Sequence, residues 1–391
     1  MNQTIHILSR FLPQHTAGIE VYVQRLCLNN TTENCVLISG ERNEKYEYNG
    51  ISVFVIKEDF DFNYQLTDLI IKNGIKCAHY HQFEDGELYE LKTLNLLKKL
   101  KIHTKFTFHL VQYYCSTLTL KQDNKKSCKI KAEQYACLKC YLNTNYLLKV
   151  PQIFRSAIFF DLLKPIPRIN RIIESCNDVV RKNIDRFYLI MNQFDELIAI
   201  NPEFFNLLFQ FEEFCSKLKY LPQKSYSIDS LRSRNESRLR LVFLGRIEES
   251  KGIVNLVNLA VALDDPKIEI DLFGQMNDSR FNFDYFNSLL GKTKTKIIYK
   301  GVLSPFEVEN ILKNYDYLIH PSKIAEMTPL VIQESFKSNT PVIGNDIFGI
   351  NTYVSNGVNG WLIDFEKIED SIKTITDILN NDKILIQNNN P

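Results

Sequence analysis

Tyr317–Glu334 (YLIHPSKIAEMTPLVIQE) opens on a short apolar run, crosses a loop and ends in a helical pattern. Within it, Glu326-Met327-Thr328-Pro329-Leu330-Val331-Ile332-Gln333-Glu334 sets one carboxylate on each side of a loop-to-helix transition. Pro329 falls where a first helical turn accepts proline, because that amide has no intrahelical partner. The next amides point outward at the positive end of the helix dipole and can seat a phosphate. Glu326 is expected in the loop and Glu334 two turns down in the helix. One carboxylate then lies near a group attached to the phosphate, the other near a sugar hydroxyl on its far side. Phosphate between two hydroxyl-binding carboxylates describes a sugar nucleotide. The plainer reading is a solvated helix with two surface glutamates.

Similar strand–helix alternation runs outward from this stretch in both directions. Strands are predicted at Ile5–Leu8, Cys35–Ser39, Val53–Ile56, Cys77–Tyr80, Lys105–His109 and Glu196–Ile200. A second series is predicted at Leu241–Gly245, Ile268–Phe273, Lys296–Tyr299, Tyr317–His320 and Val342–Gly344. Short Val/Ile/Phe-rich strands alternating with helices imply an α/β protein whose parallel sheets are covered on both faces. The polar, breaker-rich segment 221–240 separates the series. The expected organisation is a domain over 1–220, a linker over 221–240, a second domain over 241–365, and a helix and tail over 366–391. Two doubly wound domains would bind ligand in a cleft at the carboxyl ends of their strands.

Composition narrows the class. With 391 residues, 45% hydrophobic and 24% charged, the chain reads as a globular protein of two or three domains. It lacks an 18-residue uncharged apolar run, so no transmembrane helix is expected. No secretory signal is expected at the start, and nine cysteines, an odd number, fit a reducing cytoplasm. Residues 101–182 hold fifteen Lys or Arg against five Asp or Glu, although the whole chain has a net charge of only +1. Within that region, residues 153–164 mix aromatic, aliphatic and cationic side chains. They read as an element resting on an anionic membrane surface, or as a core helix with solvated basic residues. No recognition motif accompanies the charge, and a nucleic-acid partner is not expected.

Three further sites fall at strand ends. Gly245-Arg246, followed by Lys251-Gly252, supplies a tight turn and two cations within reach of one diphosphate. Gly18 opens a helix after the first strand, where close backbone approach to an anion is allowed. His109 ends a strand, as His79 and His81 end the preceding one. Each of these histidines also reads as a satisfied core residue.

In order and spacing, the C-terminal half resembles retaining glycosyltransferases of family 4, which have the GT-B architecture. The matching residues are Gly245-Arg246, Lys251-Gly252, Phe273-Gly274, Gly301-Val302, His320-Pro321-Ser322, Glu326 to Glu334, Pro341-Val342-Ile343 and Gly357 to Leu362. The N-terminal half matches through Ala17-Gly18-Ile19-Glu20 and Thr107-Phe108-His109, and the resemblance covers roughly residues 1–365. The resemblance implies that Arg246 and Lys251 neutralise a donor diphosphate, aided by backbone at Gly18. It implies that Glu334 binds ribose hydroxyls and that Gly301-Val302 frames the base. Glu326, with Met327, Thr328, Pro329 and Leu330, would hold the donor sugar and distal phosphate, with His109 beside the reacting sugar. The catalytic candidates are thus Glu326 and His109. Where the family usually has two glycines, the first is here Ala17. No enzymatic nucleophile is assigned, and no cofactor is expected for catalysis, since the two cations could supply the charge of a metal.

Cys115, Cys128, Cys137 and Cys140 form a second constellation, Cys-x12-Cys-x8-Cys-x2-Cys, in an insert over 113–142. Four thiolates can close a tetrahedral structural zinc site. An iron–sulfur cluster, a disulfide pair and unlinked thiols are the alternatives.

The expected function is transfer of a sugar from a nucleotide-sugar donor to a glycan or polyprenyl-linked acceptor in bacterial surface polysaccharide or lipopolysaccharide assembly. The expected location is the cytoplasm, with peripheral contact at the inner face of the plasma membrane. A nucleotide-sugar epimerase of the same fold and a non-catalytic sugar-nucleotide-binding scaffold are the competing functions.

Overall fold

The computed structural model describes residues 3–13, 18–29, 34–82, 91–111, 114–115, 121–122, 126–127, 137–138, 140–142, 167–223, 226–228, 238–289 and 292–380. The chain divides into two compact units, 1–118 with 122–222, and 119–121 with 223–391. No described helix is long and apolar enough to cross a membrane. Residues 153–164 and Ala17 lie outside the described residues.

The first unit is built on β1 (Gln3–Ile7), β2 (Asn34–Gly40), β3 (Glu44–Tyr48), β4 (Ile51–Lys57), β5 (Ile75–Tyr80) and β6 (His103–Phe108). A short ribbon, β7 (Lys121–Gln122) and β8 (Lys126–Ser127), precedes β9 (Glu196–Ala199) and β10 (Leu218–Tyr220). The main sheet runs β10-β9-β6-β5-β1-β2-β4-β3 and is parallel except for β3 on β4. In β3 (EKYEY) only Tyr46 and Tyr48 alternate toward the core, too short a signal among charged residues for sequence pattern to find; it is an edge strand with its charges in solvent. The described helices are α1 (Gly18–Asn29), α2 (Phe62–Lys72), α3 (Leu91–Lys99), α4 (Pro167–Met191), α5 (Pro202–Leu208) and α6 (Glu212–Cys215). Asn201 caps α5 by accepting from the Phe204 amide at 3.0 Å, with Pro202 in the first turn.

The second unit holds β11 (Leu239–Leu244), β12 (Ile268–Phe273), β13 (Lys296–Gly301), β14 (Tyr317–His320), β15 (Val342–Asn345) and β16 (Gly360–Ile363). Its order is β13-β12-β11-β14-β15-β16, every pair parallel. Helices α7 (Ile253–Leu263), α8 (Phe283–Leu289), α9 (Val308–Leu312), α10 (Leu330–Lys337) and α11 (Ile368–Asn380) accompany it. Alternate residues of each strand feed two cores. Leu241, Phe243, Leu272 and Ile319 pack with Leu256 of α7 and Ile375 of α11. Val242, Leu244, Leu318 and Val342 pack with Leu312 of α9, Ile332 and Phe336 of α10. Each fully buried aliphatic or aromatic side chain of this kind contributes roughly 1.5–3 kcal/mol. Ile228, in the segment expected to be a linker, is buried in the second of these cores.

Both sheets reverse their order at a central strand. The chain lays β1, β2 and β4 outward in one direction and returns to place β5 on the other side of β1. In the second unit it goes from β11 to β13, then returns to set β14 beside β11. Loops leaving two such neighbouring strands diverge, and the crevice between them is where doubly wound sheets bind ligands.

Candidate functional site

In the second unit the loops after β11 and β14 meet at the reversal point. Lys251, after β11, donates to Glu326 Oε1 at 2.9 Å. His320, the last residue of β14, donates through Nε2 to the same oxygen at 3.1 Å. The side chains of Lys251 and Glu326 are 16% and 17% exposed, so a sixth of each remains open to water. Burial alone would raise the Glu326 pKa. Lys251 and His320 outweigh it and hold the carboxyl well below the usual carboxylate range. Glu326 is therefore a fixed anion at neutral pH.

Backbone contacts lock these loops together. The Lys323 amide donates to Ser250 O at 2.9 Å, and Asn345 Nδ2 donates to Ser322 O at 2.8 Å. Gly252 has φ +77°, and a Cβ there would stand 2.0 Å from Pro321 O. Gly349 has φ +85°, and a Cβ there would stand 1.4 Å from Glu326 O. Only glycine permits both the left-handed turn and the close approach. The Glu326 amide also donates to Phe348 O at 3.3 Å.

Helix α10 begins just past Glu326. Pro329 is its N-cap, with extended backbone (φ −63°, ψ 109°), and Leu330 is the first helical residue. The sequence pattern predicts proline inside the first turn. Its ψ is instead that of a cap, which leaves the amides of Leu330 and Val331 without acceptors one turn back. Glu334 is the fifth helical residue, in the second turn, closer to the helix start than the spacing suggested. Thr328 Oγ1 lies 3.0 Å from the Tyr353 hydroxyl, which pins the loop at that point.

Other expected site residues sit around the same sheet end. Arg246, directly after β11, is exposed and pairs with Glu248 at 3.2 Å. Glu248 also accepts from the Ser250 hydroxyl. Gly301 ends β13 with φ +94°, and Val302 beside it is 67% exposed. The sequence treated Lys251 and Glu326 as separate ligands of one donor. The structure makes them a pair and adds His320, quoted only as part of a motif.

The first unit gathers histidines at its own reversal point. His6 on β1 is in register with His79 on β5, and His79 with Lys105 on β6. Residues two apart share a face, so His79 and His81, like Thr107 and His109, point the same way. His6 Nδ1 is 2.9 Å from His81 Nε2, and His81 Nδ1 is 3.0 Å from His109 Nε2. His79 Nε2 is 2.7 Å from Thr107 Oγ1. Tyr22 of α1 meets the His109 ring edge-on at 4.6 Å. Burial is the chief cause that pulls His6 down to about 4 and His109 to about 3, and holds His79 and His81 well below the ordinary value. All four are neutral at pH 7. His109 is thus one end of a linked set rather than a lone residue, and His6 was missed altogether. The legible signal was the His-x-His spacing at 79 and 81.

Gly18 is the first residue of α1, and a Cβ there would meet nothing within 4 Å. Cys115, Cys137 and Cys140 are half-buried, and Cys128 lies outside the described residues.

Two doubly wound parallel-sheet units of this kind are the GT-B fold. HepE from Anabaena, crystallised with UDP, superposes with a TM-score of 0.62 over 98% of this chain and 92% of its own, at 11% identity. Residues 229–389, which fall within the second unit, match the family described as Glycosyl transferases group 1. The chain is 27% identical over 154 residues to a D-inositol 3-phosphate glycosyltransferase from Paenarthrobacter aurescens (strain TC1), covering 38% of this chain and 37% of that protein. It is 28% identical over 131 residues to an uncharacterized 41.2 kDa protein in the cps region of Klebsiella pneumoniae, covering 34% of each. The chain thus spans about a third of the length of the curated relatives it matches.

Proposed function

We propose that this protein is a retaining glycosyltransferase that moves a hexose-type sugar from a nucleoside diphosphate to a glycan or lipid-linked acceptor in surface polysaccharide assembly. The observation that carries the reading is the ionised Glu326, held by Lys251 and His320 at the foot of α10. Arg246, Lys251 and the amino end of α10 offer positive charge where a diphosphate would leave. A carboxylate that is ionised and partly open can accept a hydroxyl of the donor sugar. Glu334 is assigned the ribose hydroxyls, Gly301 and Val302 the base, and Thr328, Pro329 and Leu330 the distal phosphate. Gly18 and His109 keep the roles implied by resemblance, a phosphate contact and a contact with the reacting sugar.

In this reading Glu326 has two tasks. It takes a sugar hydroxyl, and it aims Lys251, whose ammonium would otherwise be free to swing. The family match over 229–389 supports the donor side, and the neighbourhood of the Klebsiella relative supports a polysaccharide setting. The UDP bound to HepE makes uridine nucleotides the first members of a test panel.

Calorimetric titration with a panel of nucleotide sugars tests the donor site. Wild type should select one of them, and Arg246→Ala should weaken that affinity about 10- to 100-fold, the loss of one charge-assisted contact to phosphate. Equal affinity of the two proteins would remove Arg246 from the site. Proton NMR of the product, through the anomeric coupling constant of the new glycosidic linkage compared with that of the donor, checks the anomeric configuration, and inversion would overturn the retaining assignment.

A further inference from the structure

We propose that His6, His79 and His81 form a binding site for a divalent transition-metal ion of the zinc class. The three rings each offer a nitrogen, and these atoms lie within 4.8 Å of one another. All three residues are buried, at 2%, 7% and 0% exposure, on the carboxyl ends of adjacent parallel strands. Neutral imidazole is a ligand that suits zinc, and three protein ligands leave a fourth position for water.

The outer contacts select which nitrogens face inward. His79 Nε2 is engaged by Thr107 Oγ1 at 2.7 Å, which leaves Nδ1 to the site. His81 Nδ1 is engaged by His109 Nε2 at 3.0 Å, which leaves Nε2. His6 presents Nδ1, since that atom stands 2.9 Å from His81 Nε2. Metal-bound histidines are oriented in this way, each by a hydrogen bond at the other ring nitrogen. His6 Nε2 is buried, and the Asn34 side chain is the polar group that acts on this ring from outside the site. Lys105, a cation that acts on His6 and His79, is in register with His79 and is paired to Glu196 at 3.5 Å.

Binding needs a small rearrangement. Without the ion, one proton lies between His6 Nδ1 and His81 Nε2. With it, both nitrogens must be bare. The proton of His6 moves to Nε2, and that of His81 sits on Nδ1 and is donated to His109. No net proton is released, because each ring remains neutral. Tetrahedral bonds of roughly 2.0–2.1 Å set the nitrogens about 3.3 Å apart. The His6–His81 pair, now at 2.9 Å, opens by a few tenths of an ångström, and the His79 nitrogen, within 4.8 Å of both, closes on them.

The experiment is metal analysis of the full chain, produced with zinc in the medium and purified without chelator. Four proteins are compared: wild type, His79→Asn, His81→Gln, and the Cys137→Ser/Cys140→Ser double variant, which removes half of the cysteine constellation. Each histidine variant should carry about one equivalent of zinc less than wild type, with far-UV circular dichroism confirming that it is folded. The cysteine variant should retain that equivalent, and its X-ray absorption fine structure should show imidazole nitrogens at about 2.0 Å and no sulfur. Wild type without zinc, or an equal zinc content in folded histidine variants, overturns the site. If the histidine variants fail to fold, the cysteine variant decides, since absence of zinc there, or sulfur in its coordination shell, is equally fatal.

Discussion

Glu326→Gln and Lys251→Met, made singly and together, isolate the ion pair on which the proposed donor site is built. At 2.9 Å, an effective dielectric constant of about 20 gives roughly 6 kcal/mol of attraction before desolvation. Each side chain keeps about a sixth of its surface in water, and solvent screening together with the cost of burial reduces this to about 2 kcal/mol. A double-mutant cycle reads that coupling directly. Trp361 is the only tryptophan and packs against the core of the second unit, so its fluorescence during urea unfolding reports on the unit in question. The pH dependence follows from the depressed carboxyl. Glu326 in the folded protein ionises well below its unfolded value of about 4.3. Its contribution is fully present above that pH and is lost as the pH falls toward the folded value. Between pH 4.3 and 3 the coupling should shrink by about 1 kcal/mol per pH unit on average, approaching the one-proton slope of about 1.4 kcal/mol per pH unit. A coupling below about 0.5 kcal/mol at pH 7 would refute the pair as an organising element. So would a coupling that is the same at pH 7 and pH 3.

Two further substitutions test how the scaffold holds its sites. Gly349→Ala puts a methyl carbon 1.4 Å from Glu326 O at φ +85°, and should destabilise the second unit by about 2 kcal/mol or more while reducing donor affinity. Wild-type affinity in that variant would show that the loop's packing does not position Glu326. Asn201→Ala removes the cap of α5, and should cost about 1–2 kcal/mol in hydrogen-exchange protection around Phe204 without altering nucleotide-sugar affinity.

Local pattern made the strands legible. Each of the eleven predicted strands falls on an observed one, and Ile268–Phe273 and Tyr317–His320 match to the residue. A strand covered on both faces must be an unbroken apolar run, and such runs are visible without knowing their neighbours. β3 and β10 escaped because a mostly charged edge strand and a three-residue strand carry no such run, and β16 (Gly360–Ile363), four residues closing the sheet after a glycine-rich turn, was not predicted either. The helix start at Leu330 was read to within one position, because proline constrains the backbone wherever it occurs.

By itself the sequence determined the α/β alternation, the candidate ligands of a sugar nucleotide, and the presence of basic and acidic groups at strand ends. Only the tertiary structure decided which of those groups meet. Lys251 and Glu326 are 75 residues apart and become partners because β14 inserts beside β11. His6 and His81 are also 75 apart and meet because β5 returns to the side of β1 opposite β2. Strand order is set by which long-range pairings bury the most apolar surface, a sum over the whole sheet that no local window contains. The charge of Glu326 and the neutrality of the four histidines follow from those meetings, since burial and neighbours, rather than residue type, fix the proton.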